Sequence, residues 1–314
     1  MFIDFFIYLF VSFIILIFIS KISYKLDLVD MPSERKMHLK PTAYTGGMAL
    51  GLIYIFSIYF FEINYEKLNL ILSIAFLISI VGFIDDRYNL NVGGKLSLQT
   101  IPIIYLIVIE SFTLNQIGDY NYFQLKLNTF SIPFTILSVI FLINSANYFD
   151  GLDGVLSATT LSVLGILYFI VPDDNVRLFI TSVIIPILIF MCFNFSVFNL
   201  PKVFLGDSGS LLIGFILSFT LIFIANEILI HPIVLAWSIS IFVYEFLTIN
   251  FIRLLRKKNL FQSGTDHLHH ILYRKISSVI YVNFIISTVN INCFIIGYIA
   301  FVYVSSLASL ILLL

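Results

Sequence analysis

Five short clusters of acid, amide, imidazole and glycine residues stand out in the 314-residue sequence. Asp85-Asp86, followed by Arg87, Lys95 and Gln99, offers paired carboxylates, which a magnesium ion or a proton-accepting site requires. These acids close an apolar run, where they oppose a helix macrodipole, and that unfavourable placement argues for a role. Asn144-x-x-Asn147-x-x-Asp150-Gly-x-Asp153-Gly repeats polar groups at intervals of three, so Asn144, Asn147, Asp150 and Asp153 are expected along one face of a helix end, converging on one ligand. Phe204-Leu-Gly206-Asp207-Ser-Gly209-Ser opens another apolar run. Asp or Ser there makes a good N-cap, and a helix N-terminus beside a carboxylate also suits a metal–diphosphate. Asp266-His267-Leu-His269-His270 follows a basic run from Arg253 to Lys258; zinc competes as an explanation for the three imidazoles, but no cysteine supports it. The loop from Asp30 through Arg35, Lys36 and His38 to Gly46-Gly47 has two readings. It is either a charged anchor at a membrane surface or a phosphate-receiving patch, with Arg and Lys as cationic donors and glycines that let backbone N–H groups approach an anion.

The elements that position these clusters follow from composition. Residues are 60% hydrophobic, 17% aromatic and 11% charged, against about 25% charged in a soluble domain, and mean hydropathy is +1.05. Apolar runs at about 2–20, 48–61, 68–84, 98–112, 132–148, 155–172, 176–194, 209–226, 232–252, 279–292 and 294–313 have the lengths that a hydrocarbon layer of about 30 Å demands of helices. The expectation is an all-α, polytopic membrane bundle of about eleven transmembrane helices, one integral-membrane domain over residues 1–314. The first run lacks a basic leader and a small-residue cleavage site, so it reads as a helix rather than a signal peptide. Asn290 and Asn292 are the punctuation between the last two runs. Fourteen of 17 Lys and Arg lie in loops after odd-numbered helices, on the face that also carries all five clusters. The positive-inside rule makes that face cytoplasmic, with the N-terminus outside and the C-terminus inside. Within the spans, ionisable groups are nearly confined to Glu245 and the helix-end Glu110, which disfavours an ion channel or proton-coupled transporter. The net charge of −1 implies no nucleic-acid partner. Cys192 and Cys293 lie in apolar surroundings as packing residues, and His231, on the opposite face, reads as structural.

The order, spacing and sidedness of Asp30-x-Pro-x-x-Arg35-Lys36-x-His38 with Gly46-Gly47, Asp85-Asp86, Asn144-x-x-Asn147-x-x-Asp150-Gly-x-Asp153-Gly, Phe204-x-Gly-Asp207-x-Gly-Ser and His267-x-His269-His270 resemble a known family. It is the polyprenyl-phosphate N-acetylhexosamine-1-phosphate transferases, of the glycosyltransferase family 4 type, related to the phospho-N-acetylmuramoyl-pentapeptide transferase of peptidoglycan synthesis. The resemblance implies an eleven-helix fold with a cytoplasmic site in a bacterial-type inner (plasma) membrane. It implies transfer of a sugar 1-phosphate from a UDP-sugar to undecaprenyl phosphate with release of UMP, a first lipid-linked step of cell-envelope polysaccharide synthesis. Mg²⁺, with Mn²⁺ as a substitute, is the implied cofactor; the partners are the two substrates and membrane lipid, with room for a homodimer. Residue by residue, Asp207 would ligate the metal beside Asn147 and Asp150, and Asp85 and Asp86 would serve the acceptor phosphate as base or further metal contacts. Asn144, Asn147, Asp150 and Asp153 would line the nucleotide site with Phe204 stacked on uracil. Arg35, Lys36 and His38 would receive phosphate, and His267, His269 and His270 would hold the diphosphate or sugar. Gly264 and Thr265 stand where family members commonly carry Asp and Arg, which leaves the donor sugar open, with muramoyl-pentapeptide as the alternative donor. A transporter or a non-catalytic membrane scaffold is the alternative of a different class.

Overall fold

The computed structural model describes residues 2–32, 40–258, 264 and 266–314, and these are mostly helical. In chain order the helices are α1 (Phe2–Lys25), α2 (Gly46–Phe60), α3 (Glu66–Tyr88), α4 (Val92–Ile104, prolonged by a π turn at Tyr105–Ile109), α5 (Ser131–Phe149), α6 (Val155–Ile170) and α7 (Asp174–Asn194). They continue with α8 (Gly206–Phe223, prolonged by a π turn at Ile224–Ile228), α9 (Pro232–Ser238), α10 (Ser240–Leu255), α11 (Leu268–Ile276), α12 (Val279–Tyr303) and α13 (Ser306–Leu313). Two antiparallel ribbons join them: β1 (Val29–Asp30) with β2 (Thr42–Ala43), and β3 (Gln116–Asp119) with β4 (Gln124–Lys126). Among the described residues seven helices are long and apolar enough to cross a membrane, or eight if the bent pair α9–α10 is one span; α2 and α6 are shorter apolar helices.

The expected separation of the last two spans is absent. Residues 279–303 form one helix, and the eight-residue α13 turns back along it, with Ser309 Oγ donating to Gly297 O. At about 1.5 Å per residue α13 is too short to cross a hydrocarbon layer. Asn290 does not punctuate the helix because its amide is used sideways. It donates to Ser162 Oγ (3.0 Å) and Ser238 O (2.9 Å) and accepts from Ile241 N (3.4 Å). Those last two groups flank the 71° bend between α9 and α10, where the helical ladder is broken, so Asn290 satisfies backbone that lipid could not.

The bundle is organised around α8, 94% buried along its apolar window, against 22% for α1. Lipid tails are as apolar as the side chains, so helices gain by close packing rather than by hydrophobic transfer, and small residues permit it. A Cβ on Gly47 would fall into the backbone of Gly209, and one on Gly82 would lie 2.5 Å from Asp207 C and Ser208 Cα. The N-terminus of α2, the C-terminus of α3 and the N-terminus of α8 therefore meet backbone to backbone. On the face assigned outside, His231 caps α9, its Nδ1 accepting from Ile233 N (3.2 Å), and its Nε2 meets Asp119 of β3, which agrees with a structural role.

Candidate active site

The N-terminus of α8 forms the floor of the site. Asp86, in the last turn of α3, accepts from the backbone N–H groups of Asp207 (3.0 Å) and Ser208 (3.2 Å). Its carboxylate opposes the dipole of its own helix but sits at the positive end of α8. The N–H groups that the sequence offers to an anion are thus held by a carboxylate of the protein itself. Gly206 permits this: its φ is +72°, and a Cβ there would lie 2.7 Å from Asp86 Oδ2. Gly46 and Gly47 are likewise engaged, Gly46 N donating to Phe204 O and Gly47 N to Leu205 O, so their role is close helix approach rather than anion binding.

Asp207 points away from its helix into a cluster of polar side chains. Asn147 Nδ2 donates to Asp207 Oδ1 (2.9 Å) and Ser210 Oγ (2.8 Å). The Lys95 ammonium bridges Asp207 and Asp85, 2.8 Å from Asp85 Oδ2. Asp85 Oδ1 also accepts from Leu90 N (2.8 Å), which ties the α3–α4 turn to the site.

The walls come from two loops. Asp150 ends α5, and Asp153 lies in the turn before α6, where its Oδ2 meets Lys202 Nζ at 2.6 Å. Lys202 also lies 5.2 Å from the centre of the Phe204 ring. Phe204 is held by its backbone, its N–H donating to Ala43 O (2.7 Å), while Asn194 Nδ2 holds Val203 O (2.9 Å). Between them lies a cavity of about 950 Å³ lined by Asp30, Asp85, Asp86, Arg87, Asp150, Asp153, Lys202, Phe204, Asp207, His270 and Tyr273, among others.

The histidine cluster closes one side, with a division of labour. His270 lines the cavity, whereas His267 and His269 are buried behind it. His269 packs under the α5–α6 turn, where a Cβ on Gly151 would collide with its Nε2. Burial, with His270 and His267 nearby, pushes the His269 imidazole down to about 2, so it is neutral. Burial likewise lowers His270.

Asp85, Asp86, Asn147, Asp150, Asp153, Phe204, Asp207 and His270 are thus brought together. Asn144, one turn before Asn147 in α5, donates its Nδ2 to Ile140 O (2.7 Å) of its own helix. Arg35, Lys36 and His38 lie outside the described residues; the ribbon flanking them, Val29 opposite Ala43 and Asp30 opposite Thr42, stands beside the cavity. The sequence assigns no role to Lys95, which stands in it only as a neighbour of the acid pair, or to Lys202, which counts there only toward the charge bias of one face. The available signal was their nearness in sequence to the acid pair and to Phe204.

Among the described residues, carboxylates outnumber cations around the site. Burial first, then the carboxylates of Asp207, Asp86 and Asp153, push Asp150 well above the usual carboxylate range. Hard oxygen donors facing unbalanced charge fit magnesium, which takes one or two protein carboxylates and completes its shell with water and substrate phosphates. Among the described residues no three His, Cys, Asp or Glu side chains stand close enough to cage an ion. Asn147 donates from its amide nitrogen to Asp207 and to Ser210, and so orients the Asp207 carboxylate.

The chain is 28% identical over 272 residues to the undecaprenyl-phosphate alpha-N-acetylglucosaminyl 1-phosphate transferase of Escherichia coli K12, covering 82% of this chain and 72% of that protein. It is 28% identical to the enzymes of the same name from Yersinia pestis (85% and 76% covered) and Salmonella typhi (83% and 73%). The profile of glycosyl transferase family 4 matches residues 68–225, half of the chain, a stretch that runs through Asp85, Asp86, Asn147, Asp150, Asp153, Phe204 and Asp207. The protein belongs to glycosyl transferase family 4.

Proposed function

We propose that this protein transfers N-acetylglucosamine 1-phosphate from UDP-N-acetylglucosamine to undecaprenyl phosphate and releases UMP. The observation that carries this reading is the acidic cavity at the N-terminus of α8, placed at one end of an apolar bundle. The names of the relatives support the substrates. The face bearing fourteen of 17 basic residues is cytoplasmic in this reading, in a bacterial-type plasma membrane.

Asp207 and Asp150 would hold Mg²⁺, with Mn²⁺ as a substitute and Asn147 orienting Asp207. Such an ion relieves the charge of the diphosphate and of departing UMP. Lys95, fixed between Asp85 and Asp207, places a cation where two anionic substrates must meet. Phe204 offers a face for uracil, Asp153 a polar edge for the nucleoside, and His270 a donor for the sugar or diphosphate. The second pKa of a phosphate monoester is about 6, so the lipid phosphate is largely a dianion at neutral pH and needs alignment more than a strong base. Direct attack by that phosphate on the β-phosphorus is therefore favoured over a phosphoryl-aspartate. Asp86, already engaged by two N–H groups, serves the site by fixing α8.

The test is incubation of purified protein with undecaprenyl phosphate, Mg²⁺ and a panel of UDP-sugars, following UMP. Release with UDP-N-acetylglucosamine is expected. Silence with every donor, beside an active relative, would overturn the reading; release with UDP-muramoyl-pentapeptide alone would move the protein to the peptidoglycan branch.

A further inference from the structure

Two buried charges of α10 have no part in the reaction above, and both act on the histidine cluster. Glu245, 7% exposed within an apolar helix, accepts from Leu268 N (2.8 Å), the first amide of α11, and lies 3.4 Å from His267 Nδ1. Two turns further on, Arg253 is 3% exposed and grips Asp266 with two bonds, Nη2 to Oδ1 at 2.9 Å and Nε to Oδ2 at 3.3 Å. Its guanidinium also lies 5.6 Å from the centre of the Tyr148 ring, which in turn meets the His267 ring edge-on at 5.0 Å. Arg253 holds the Asp266 carboxyl down at about 2. An ionisable residue inside a membrane helix is costly, and a buried ion pair adds little net stability, so both are better explained by the register they impose.

We propose that Glu245 and Arg253 are positioning residues that clamp residues 266–268 and thereby aim His270 at the donor. From the clamp the contacts run inward: the His267 and His269 rings stack at 5.5 Å, His269 and His270 lie 4.3 Å apart, and His269 supports the Gly151 turn between Asp150 and Asp153. The clamp thus backs both the imidazole and the acidic loop that line the cavity. This inference rests on the proposed reaction for its kinetic part only.

The test combines hydrogen exchange with kinetics on Glu245→Leu, Glu245→Gln and Arg253→Met in full-length protein. Glu245→Leu removes the acceptor for Leu268 N. Exchange across 266–276 should rise at least about tenfold, and the KM for the UDP-sugar should rise by about the same factor with the KM for undecaprenyl phosphate unchanged. Glu245→Gln keeps an acceptor oxygen and should restore the protection. If Glu245→Leu does not fold, Arg253→Met carries the same expectation through loss of the Asp266 grip. Unchanged exchange in the folded variants overturns the clamp, and raised exchange with an unchanged donor KM overturns its role in aiming His270. Should the wild type release no UMP, the reaction proposed above fails, and the exchange pattern alone decides whether α10 anchors the histidines.

Discussion

The polar cluster around Asn290 and the polar cluster around Asp207 are both built into an apolar bundle, and they differ in how their polarity is balanced. Every group of the Asn290 amide is engaged by a neutral partner, on Ser162, Ser238 and Ile241. Around Asp207, among the described residues, seven carboxylates, those of Asp27, Asp30, Asp85, Asp86, Asp150, Asp153 and Asp207, line one cavity with two cations, Arg87 and Lys202, while Lys95 bridges Asp85 and Asp207. The first arrangement is complete without any other molecule and holds a broken helix together. The second leaves negative charge uncompensated, a cost that a bound cation and the cationic side of a substrate complex would offset. In a membrane protein, then, satisfied neutral polarity marks architecture and unsatisfied charge marks a site.

Substitutions at the two clusters can break that contrast. Asp207→Asn should have the largest effect, lowering turnover about 10³-fold while leaving the melting temperature within about 2 °C of wild type. Near-normal UMP release from this variant would remove Asp207 from the reaction. Asn290→Ala should behave in the opposite way. It is expected to cost about 1–2 kcal/mol of stability, as for other interhelical polar contacts, with turnover per folded molecule unchanged. A variant that loses activity without losing stability would place Asn290 in the functional region after all.

The smallest and most discriminating effect concerns Asp150. Because its folded-state pKa is raised, the proton is favoured in the folded protein, so the carboxyl supports the fold below its unfolded value of about 3.9 and opposes it as pH rises through the folded value. In a metal chelator at pH 8, Asp150→Asn should therefore raise the melting temperature by about 2 °C, an advantage that vanishes below about pH 4. A melting temperature that falls at pH 8 would show that the cavity is not over-charged.

Much of this was legible in the sequence, and what was missed has physical causes. Composition and run length identify a helical membrane bundle because lipid imposes one length and one polarity on every span. The spacing of Asp150 and Asp153 around two glycines, and Asp207 behind Gly206, brings these residues to one cavity because short loops leave few alternatives. Asn290 reads in the sequence as a break, because sequence does not distinguish a polar residue that ends a helix from one that bonds sideways to a neighbour. Gly46 and Gly47 were open to reading as anion donors because close backbone packing and anion binding both call for glycine, and only the partner, here Phe204 and Leu205 carbonyls, tells them apart. Glu245 was read as evidence about transport, whereas its partners lie 23 residues away, at Leu268 and next to it.

The central claim is that the bond broken lies between the two phosphates of the donor. UDP-N-acetylglucosamine labelled at the β-phosphorus, incubated with the protein, undecaprenyl phosphate and Mg²⁺, tests it in one step. The label should move into the lipid fraction together with the sugar while UMP appears in equal amount. Label recovered as UDP, with the sugar alone on the lipid, would contradict it.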